Sequence, residues 1–352
     1  MTVALDATYS IGEISGVGVY SRELLSSLAG AHPEARFLYC YRPHRFPKSW
    51  RERLPGNARR GLLTDGSGAG AILPFGWRRA ALFHGLNQRL PAARHRRAVV
   101  TFHDLFVLSG EYSTAEFRAR FAAQAREAAA RADLILTVSA FTKSQVTGLL
   151  GVEPAKVRVV HHGIRPLAFV GNGSTPRERI ILHVGAIQKR KNLGRLVEAF
   201  EATDNSWRLV LAGSNGYGWE EILARIAASD ARDRILITGY VSPAELGTWY
   251  ARASVFAFPS LDEGFGMPVL EAMAAGVPVV TSNRSALPEV AGDAAMLVNP
   301  EDTSTLREAL LELTRNEDLR LRLAAAGQKR AAAFSWEKAA RETWDAYQNL
   351  LA

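Results

Sequence analysis

Residues 259–280 read Pro259-Ser260-Leu261-Asp262-Glu263-Gly264-Phe265-Gly266-Met267-Pro268-Val269-Leu270-Glu271-Ala272-Met273-Ala274-Ala275-Gly276-Val277-Pro278-Val279-Val280. Two carboxylates, Glu263 and Glu271, stand eight positions apart, with a glycine-rich loop and then Pro268 between them. Proline suits the first turn of a helix, where its missing N–H would have had no partner. The spacing predicts Glu263 in a loop before a helix and Glu271 inside the first helical turn. Gly276 and Pro278 end that helix, and Val277–Thr281 starts a strand. The loop amides and the helix N-terminus offer unpaired N–H groups and partial positive charge, which suit an anionic group. The flanking carboxylates can accept hydrogen bonds from the hydroxyls of a sugar or a ribose. The same spacing also fits a tight strand-to-helix turn with no ligand.

Moving outward, the 352-residue chain is long for one core, and two domains are expected. Hydrophobic content of 47% and charged content of 22% are those of a soluble globular protein. Its single cysteine, Cys40, excludes an internal disulfide and fits a reducing compartment. Neither a signal peptide nor a membrane-length apolar run is legible, so a cytoplasmic protein is expected. Charge is unevenly placed. Residues 1–165 carry 23 Lys and Arg against 12 Asp and Glu, a net of +11, while residues 166–352 carry 20 against 23, a net of −3. The excess lies at 42–60 and 78–97. It points to a peripheral contact with an anionic membrane face, against a plain solvated surface as the alternative. Nucleic acid is not expected, because neither region interleaves basic and aromatic residues in a recognisable module.

Strand-like segments alternate with helical ones throughout, which is the pattern of α/β domains. Val3–Ala7 leads into Gly16-Val17-Gly18-Val19-Tyr20-Ser21, a glycine turn without the third glycine of the dinucleotide fingerprint. Arg36–Tyr41, Ala80–His84, Arg97–Phe102 and Asp133–Ser139 read as strands. Residues 42–76, including the loop Asp65–Gly70, show little pattern and read as variable loops that would face an acceptor. Ser113–Glu116 has the form of a capping box before a long helix. His103-Asp104-Leu105 ends one strand, where α/β proteins place ligand-facing side chains. The sequence does not separate two roles for Asp104, orienting the imidazole or binding an acceptor.

The organisation expected is residues 1–165 as a first Rossmann-like domain, 166–179 as linker, 180–335 as a second, and a final helix at 336–352. The second begins with a strand ending at Gly185, followed by Lys189, Arg190 and Lys191 at a helix start, an arrangement that suits a diphosphate. No Asp-x-Asp pair occurs in the sequence, and His161 and His162 lack a third ligand at metal-site spacing, so no metal and no other cofactor is expected.

The run 259–295 resembles the Glu-x7-Glu signature of the family 4 glycosyltransferases, retaining enzymes of the GT-B fold. Together with His103-Asp104-Leu105 and Arg190-Lys191-Asn192-Leu193, it is most similar to the branch that uses GDP-mannose. The resemblance implies two Rossmann-like domains facing each other across a cleft, with the last helix crossing back to the first. It implies a nucleotide-sugar donor in the second domain and a glycan or lipid-linked acceptor in the first, in cell-surface polysaccharide or glycolipid synthesis. Catalytic roles fall on His103, Glu263, Arg190 and Lys191. Donor contacts fall on Gly16, Gly18, Gly185, Arg190, Lys191, Tyr240, Val241, Glu263, Gly264, Phe265, Gly266, Met267 and Glu271. Glu263 would meet the sugar, Glu271 the ribose, and the Gly239-Tyr240-Val241 turn the base. The chain departs from the commonest family form at Ala186, where an arginine is usual. The alternatives are UDP-glucose or UDP-N-acetylglucosamine as donor, a sugar-nucleotide 2-epimerase, or a non-catalytic glycan- or membrane-binding module.

Overall fold

A computed structural model describes residues 1–12, 15–64, 79–93, 95–164 and 176–352. The loop Asp65–Gly70, residue Arg78 and most of the expected linker lie outside the described residues. The chain forms two units: Met1–Ser109 with Thr114–Gly163 and Phe334–Ala352, and Gly110–Ser113 with Ile164–Ala333.

The first unit holds a seven-stranded parallel sheet. Its strands are β1 (Thr2–Asp6), β2 (Arg36–Tyr41), β3 (Ala58–Leu62), β4 (Leu82–Gly85), β5 (Ala98–Phe102), β6 (Leu134–Thr137) and β7 (Val157–Val159), in the order β3-β2-β1-β4-β5-β6-β7. β4 and β5 are buried along their whole length, as parallel strands covered by helices must be. The second unit repeats the plan with six strands. They are β8 (Glu178–Val184), β9 (Arg208–Ala212), β10 (Ile235–Gly239), β11 (Ala253–Phe258), β12 (Val279–Ser282) and β13 (Met296–Val298), in the order β10-β9-β8-β11-β12-β13. Both are Rossmann-like sheets in which the strand order reverses beside the first strand, between β1 and β4 and between β8 and β11.

The helix Trp336–Leu351 belongs to the first unit. Its Trp344 stacks on His32 with ring centroids 4.0 Å apart, and its Tyr347 hydroxyl lies 2.5 Å from His84 Nδ1 in β4. The expected return of the last helix to the first domain is therefore present.

Several local readings change. β3 lies within the stretch read as loop. It is an edge strand with Arg59 exposed and Arg60 half-buried, so it lacks the apolar signal of a central strand, and charges are tolerated at edges. Gly16 and Gly18 are not in a turn before the helix but in the first turn of the helix Gly16–Ala31, which Ser15 caps. The long helix Ala115–Arg131 is capped by Thr114, whose Oγ1 accepts from the Phe117 amide. Glu178 and Arg179 belong to β8, because Glu178 pairs with Ala253 of β11.

Candidate active site

β8 and β11 are hydrogen-bonded neighbours, so the segments leaving their carboxyl ends emerge side by side. After β8 comes the tight turn Lys189–Lys191, and after β11 the loop that leads to the helix Met267–Ala274. Two links tie the segments together. The Leu261 amide donates to the Arg190 carbonyl at 2.9 Å. Asn192 Nδ2 donates to the carbonyls of Pro259 at 3.1 Å and Pro300 at 2.6 Å. Asn192 holds a left-handed conformation (φ 59°), which asparagine tolerates better than most residues. Sequence reading used Asn192 only as a helix start. Its place in the Lys-Asn-Leu run was the available signal.

Arg190, Lys191 and Glu263 meet at this point although 72 residues separate Lys191 from Glu263. Arg190 Nη1 stands 2.7 Å and Lys191 Nζ 2.6 Å from the same Glu263 oxygen, Oε1, and all three side chains are almost buried. Burial would raise the Glu263 pKa, but the charges of Arg190 and Lys191 overcome it and hold the carboxyl at about 2. The Glu263 amide donates to Ser285 Oγ at 3.1 Å, and Arg190 also donates to the Asp262 carbonyl. Lys191 lies 4.5 Å over the centre of the Phe258 ring. The result is a carboxylate fixed in its charged form between two cations, at the end of the sheet where α/β folds bind ligands.

The loop 264–266 is buried, and Gly266 has φ 98°. A Cβ there would come within 2.6 Å of Leu287 Cδ2, so glycine is required for both backbone and space. Pro268 sits in the first turn, as its position predicts. Glu271 does not. The helix starts at Met267, so Glu271 is its fifth residue, one turn deeper than expected, and it is 1% exposed. Its Oε2 accepts from the Tyr250 hydroxyl at 2.9 Å. Tyr250 was missed because nothing in its local sequence sets it apart from a core aromatic. Gly239 ends β10 with φ 70°, and Tyr240 beyond it is 66% exposed, next to half-buried Val241. Ser242 and Glu245 form the capping box that their spacing suggests.

In the first unit His103 follows β5 and is 7% exposed. Its Nε2 donates to the Leu86 carbonyl at 2.9 Å, and its ring meets Tyr20 edge-on at 4.6 Å. Burial pushes its pKa down to about 4, so the imidazole is neutral. The backbone carbonyl of Leu86 thus takes the orienting hydrogen bond. Asp104 beside it is half-buried, Gly18 is buried, and Gly16 is exposed at the start of its helix. Among the described residues no group of three His, Cys, Asp or Glu gathers as metal ligands. No helix among them is long and apolar enough to cross a membrane.

The family described as Glycosyltransferase Family 4 matches residues 14–166, and the family Glycosyl transferases group 1 matches residues 165–330. The chain is 32% identical to the O-antigen chain mannosyltransferase B of Escherichia coli, over 76% of this chain and 74% of that protein. It is 32% identical to the MMP alpha-(1->4)-mannosyltransferase of Mycolicibacterium hassiacum, over 68% of this chain and 58% of that one. Among solved structures, the sucrose-phosphate synthase of Thermosynechococcus elongatus matches with a TM-score of 0.79 at 20% identity, over 99% of both chains.

Proposed function

This chain belongs to the family 4 glycosyltransferases of the GT-B fold, and from that premise we propose that it moves mannose from GDP-mannose to a glycan or lipid-linked acceptor, retaining the anomeric configuration without a metal ion. The observation that carries the reading is the convergence of Arg190 and Lys191 on Glu263 at the ends of β8 and β11. A nucleoside diphosphate leaving from C1 of the sugar takes the electron pair of the breaking C–O bond. Two fixed cations stabilise that charge best where water is excluded. The acceptor oxygen forms the new bond on the face the diphosphate leaves, and the departing phosphate oxygen takes the acceptor proton.

Glu263 then holds the sugar rather than attacking it. Both cations sit on Oε1, while Oε2 takes no hydrogen bond from the described residues, so a sugar hydroxyl has an acceptor there. We assign the exposed Tyr240 ring to the base and Glu271 with Tyr250 to the ribose. The mannosyl assignment draws on the relatives named as mannosyltransferases. The basic first domain supports a peripheral site on an anionic membrane face, where a lipid-linked acceptor would lie.

Calorimetry with GDP-mannose, UDP-glucose and UDP-N-acetylglucosamine, each with and without EDTA, tests the donor. Preference for GDP-mannose that EDTA does not change is expected. Preference for a UDP sugar discards the mannosyl assignment, and loss of binding in EDTA discards the metal-free one. An α-linked product seen by NMR is expected, and a β-linked one overturns retention.

A further inference from the structure

His183 lies on β8, two residues before Gly185, and none of it is exposed. Its Nδ1 lies 2.9 Å from the Ala257 carbonyl oxygen, so Nδ1 carries the proton and donates. Nε2 is then a bare lone pair, and it has no hydrogen-bond partner among the described residues. An unmade hydrogen bond at a buried polar atom is costly and asks for an explanation. Leucine or phenylalanine would fill the site without that cost.

Gly185 marks where Nε2 points. A Cβ at Gly185 would stand 3.6 Å from His183 Nε2, 3.5 Å from Lys191 Nζ and 3.2 Å from Lys191 Cε. The lone pair and the ammonium therefore border the same bare Cα. The two side chains also share an aromatic neighbour. His183 stacks on Phe258 at 5.3 Å and 15°, and Lys191 lies over the same ring.

We propose that His183 is a positioning residue for Lys191: its Nε2 accepts a hydrogen bond from the ammonium once a diphosphate has drawn that ammonium off Glu263. The proposal rests on the reading that Lys191 meets the donor diphosphate. An ammonium has three donors, and phosphate oxygens on one side leave at least one for the protein. Neutral imidazole suits the task because it accepts without adding a charge that would repel Lys191. Burial, and next the charge of Lys191, push the His183 pKa down to about 3, so the lone pair persists at neutral pH.

The test is calorimetry of the full chain with GDP, or with UDP if the donor panel favours it. The variants are His183→Phe, His183→Gln, Lys191→Ala and the double variant Lys191→Ala/His183→Phe. Phenylalanine keeps the stack and removes the lone pair, and glutamine restores an acceptor oxygen. His183→Leu carries the same expectation should the phenyl ring not fit. His183→Phe is expected to weaken nucleotide binding about tenfold, the worth of one hydrogen bond to a charged group. Its thermal midpoint should hold or rise, and His183→Gln should recover most of the affinity. Lys191→Ala should weaken binding at least as much, and the double variant no further. Unchanged affinity in His183→Phe while Lys191→Ala is weak overturns the positioning role alone, as does a loss that persists in the Lys191→Ala background. Wild-type affinity in Lys191→Ala overturns the diphosphate reading and the positioning role with it.

Discussion

The two sheets share the order of six strands, yet the main polar network buried in each is of a different kind. Apart from the Asp6 carboxyl at the end of β1, the largest buried polar network described in the first unit is neutral. The Tyr347 hydroxyl meets His84 Nδ1, His84 Nε2 lies 2.8 Å from Thr101 Oγ1, and Thr101 Oγ1 lies 2.9 Å from the Tyr20 hydroxyl. Burial pushes the His84 pKa to about 3, so this chain of hydrogen bonds carries no charge. In the second unit Arg190, Lys191 and Glu263 are buried as ions. The difference separates two tasks. Neutral hydrogen bonds are directional and fit one set of partners, so they lock the C-terminal helix onto β4. Ion pairs are less directional, so an incoming anion can compete with Glu263 for the same two cations. On the function proposed above, one scaffold would combine a fixed interior with an exchangeable one.

The sharpest way to break this contrast is to change the charged trio. Lys191→Ala should lower the transfer rate by about 100- to 1,000-fold, the usual cost of losing one preorganised charge-stabilising group. Glu263→Gln should lose transfer to a similar degree while binding GDP at least as tightly as wild type. Its carboxamide no longer competes for the cations. If Glu263→Gln loses transfer and GDP affinity together in rate assays and calorimetry, the exchange picture is wrong.

Acid should separate the units next. His84 and His103 have folded pKa values of about 3 and about 4, and burial also lowers that of His162. Their unfolded forms take up protons below about pH 6.5, while the folded forms do not until far lower. The stability they contribute is therefore present above pH 6.5 and lost as pH falls toward 4, at about 1.4 kcal/mol per pKa unit. Glu263, held at about 2, contributes stability above about pH 4.5 that is lost only between there and 2. Among the described residues whose shift is resolved, the second unit has one such histidine, His183, against three in the first. Hydrogen exchange at pH 7 and pH 5 should show protection falling first in peptides of the first unit. Earlier loss in the second unit would reverse the comparison.

A smaller effect tests the neutral network. Tyr347→Phe should cost about 1–2 kcal/mol in urea unfolding, because it strips His84 Nδ1 of its partner. GDP affinity should not change. The smallest effect concerns the surface. Trp50 is 67% exposed beside exposed Lys48, Arg51, Arg53 and Arg59. Reversing Arg51, Arg53 and Arg59 to glutamate should weaken binding to anionic vesicles by about 1 kcal/mol per charge, with nucleotide binding unchanged. Equal vesicle binding by wild type and variant would remove the membrane contact from this face.

Much of the architecture was legible because parallel sheets announce themselves. β1, β2, β5, β6, β8, β9 and β11 are short apolar runs set between helical stretches, and burial on both faces demands that composition. β3 was not legible, since an edge strand with Arg59 and Arg60 carries no such demand. The residues Arg190, Lys191 and Glu263 could be named from their motifs, and Glu263 with Pro268 set the loop and the helix start. That both cations fall on one oxygen of Glu263 could not be read. It depends on β8 lying against β11, a pairing made by the sheet between segments some 70 residues apart. Tyr250 on Glu271, Asn192 across two loops, and His183 on the Ala257 carbonyl are contacts of the same kind. Sequence alone determined the alternation of strands and helices and which charged motifs stand at their ends, because residue type and local spacing suffice for strands, caps and charges. Only the tertiary structure decided which group answers which, because partner choice is settled by strand order and burial.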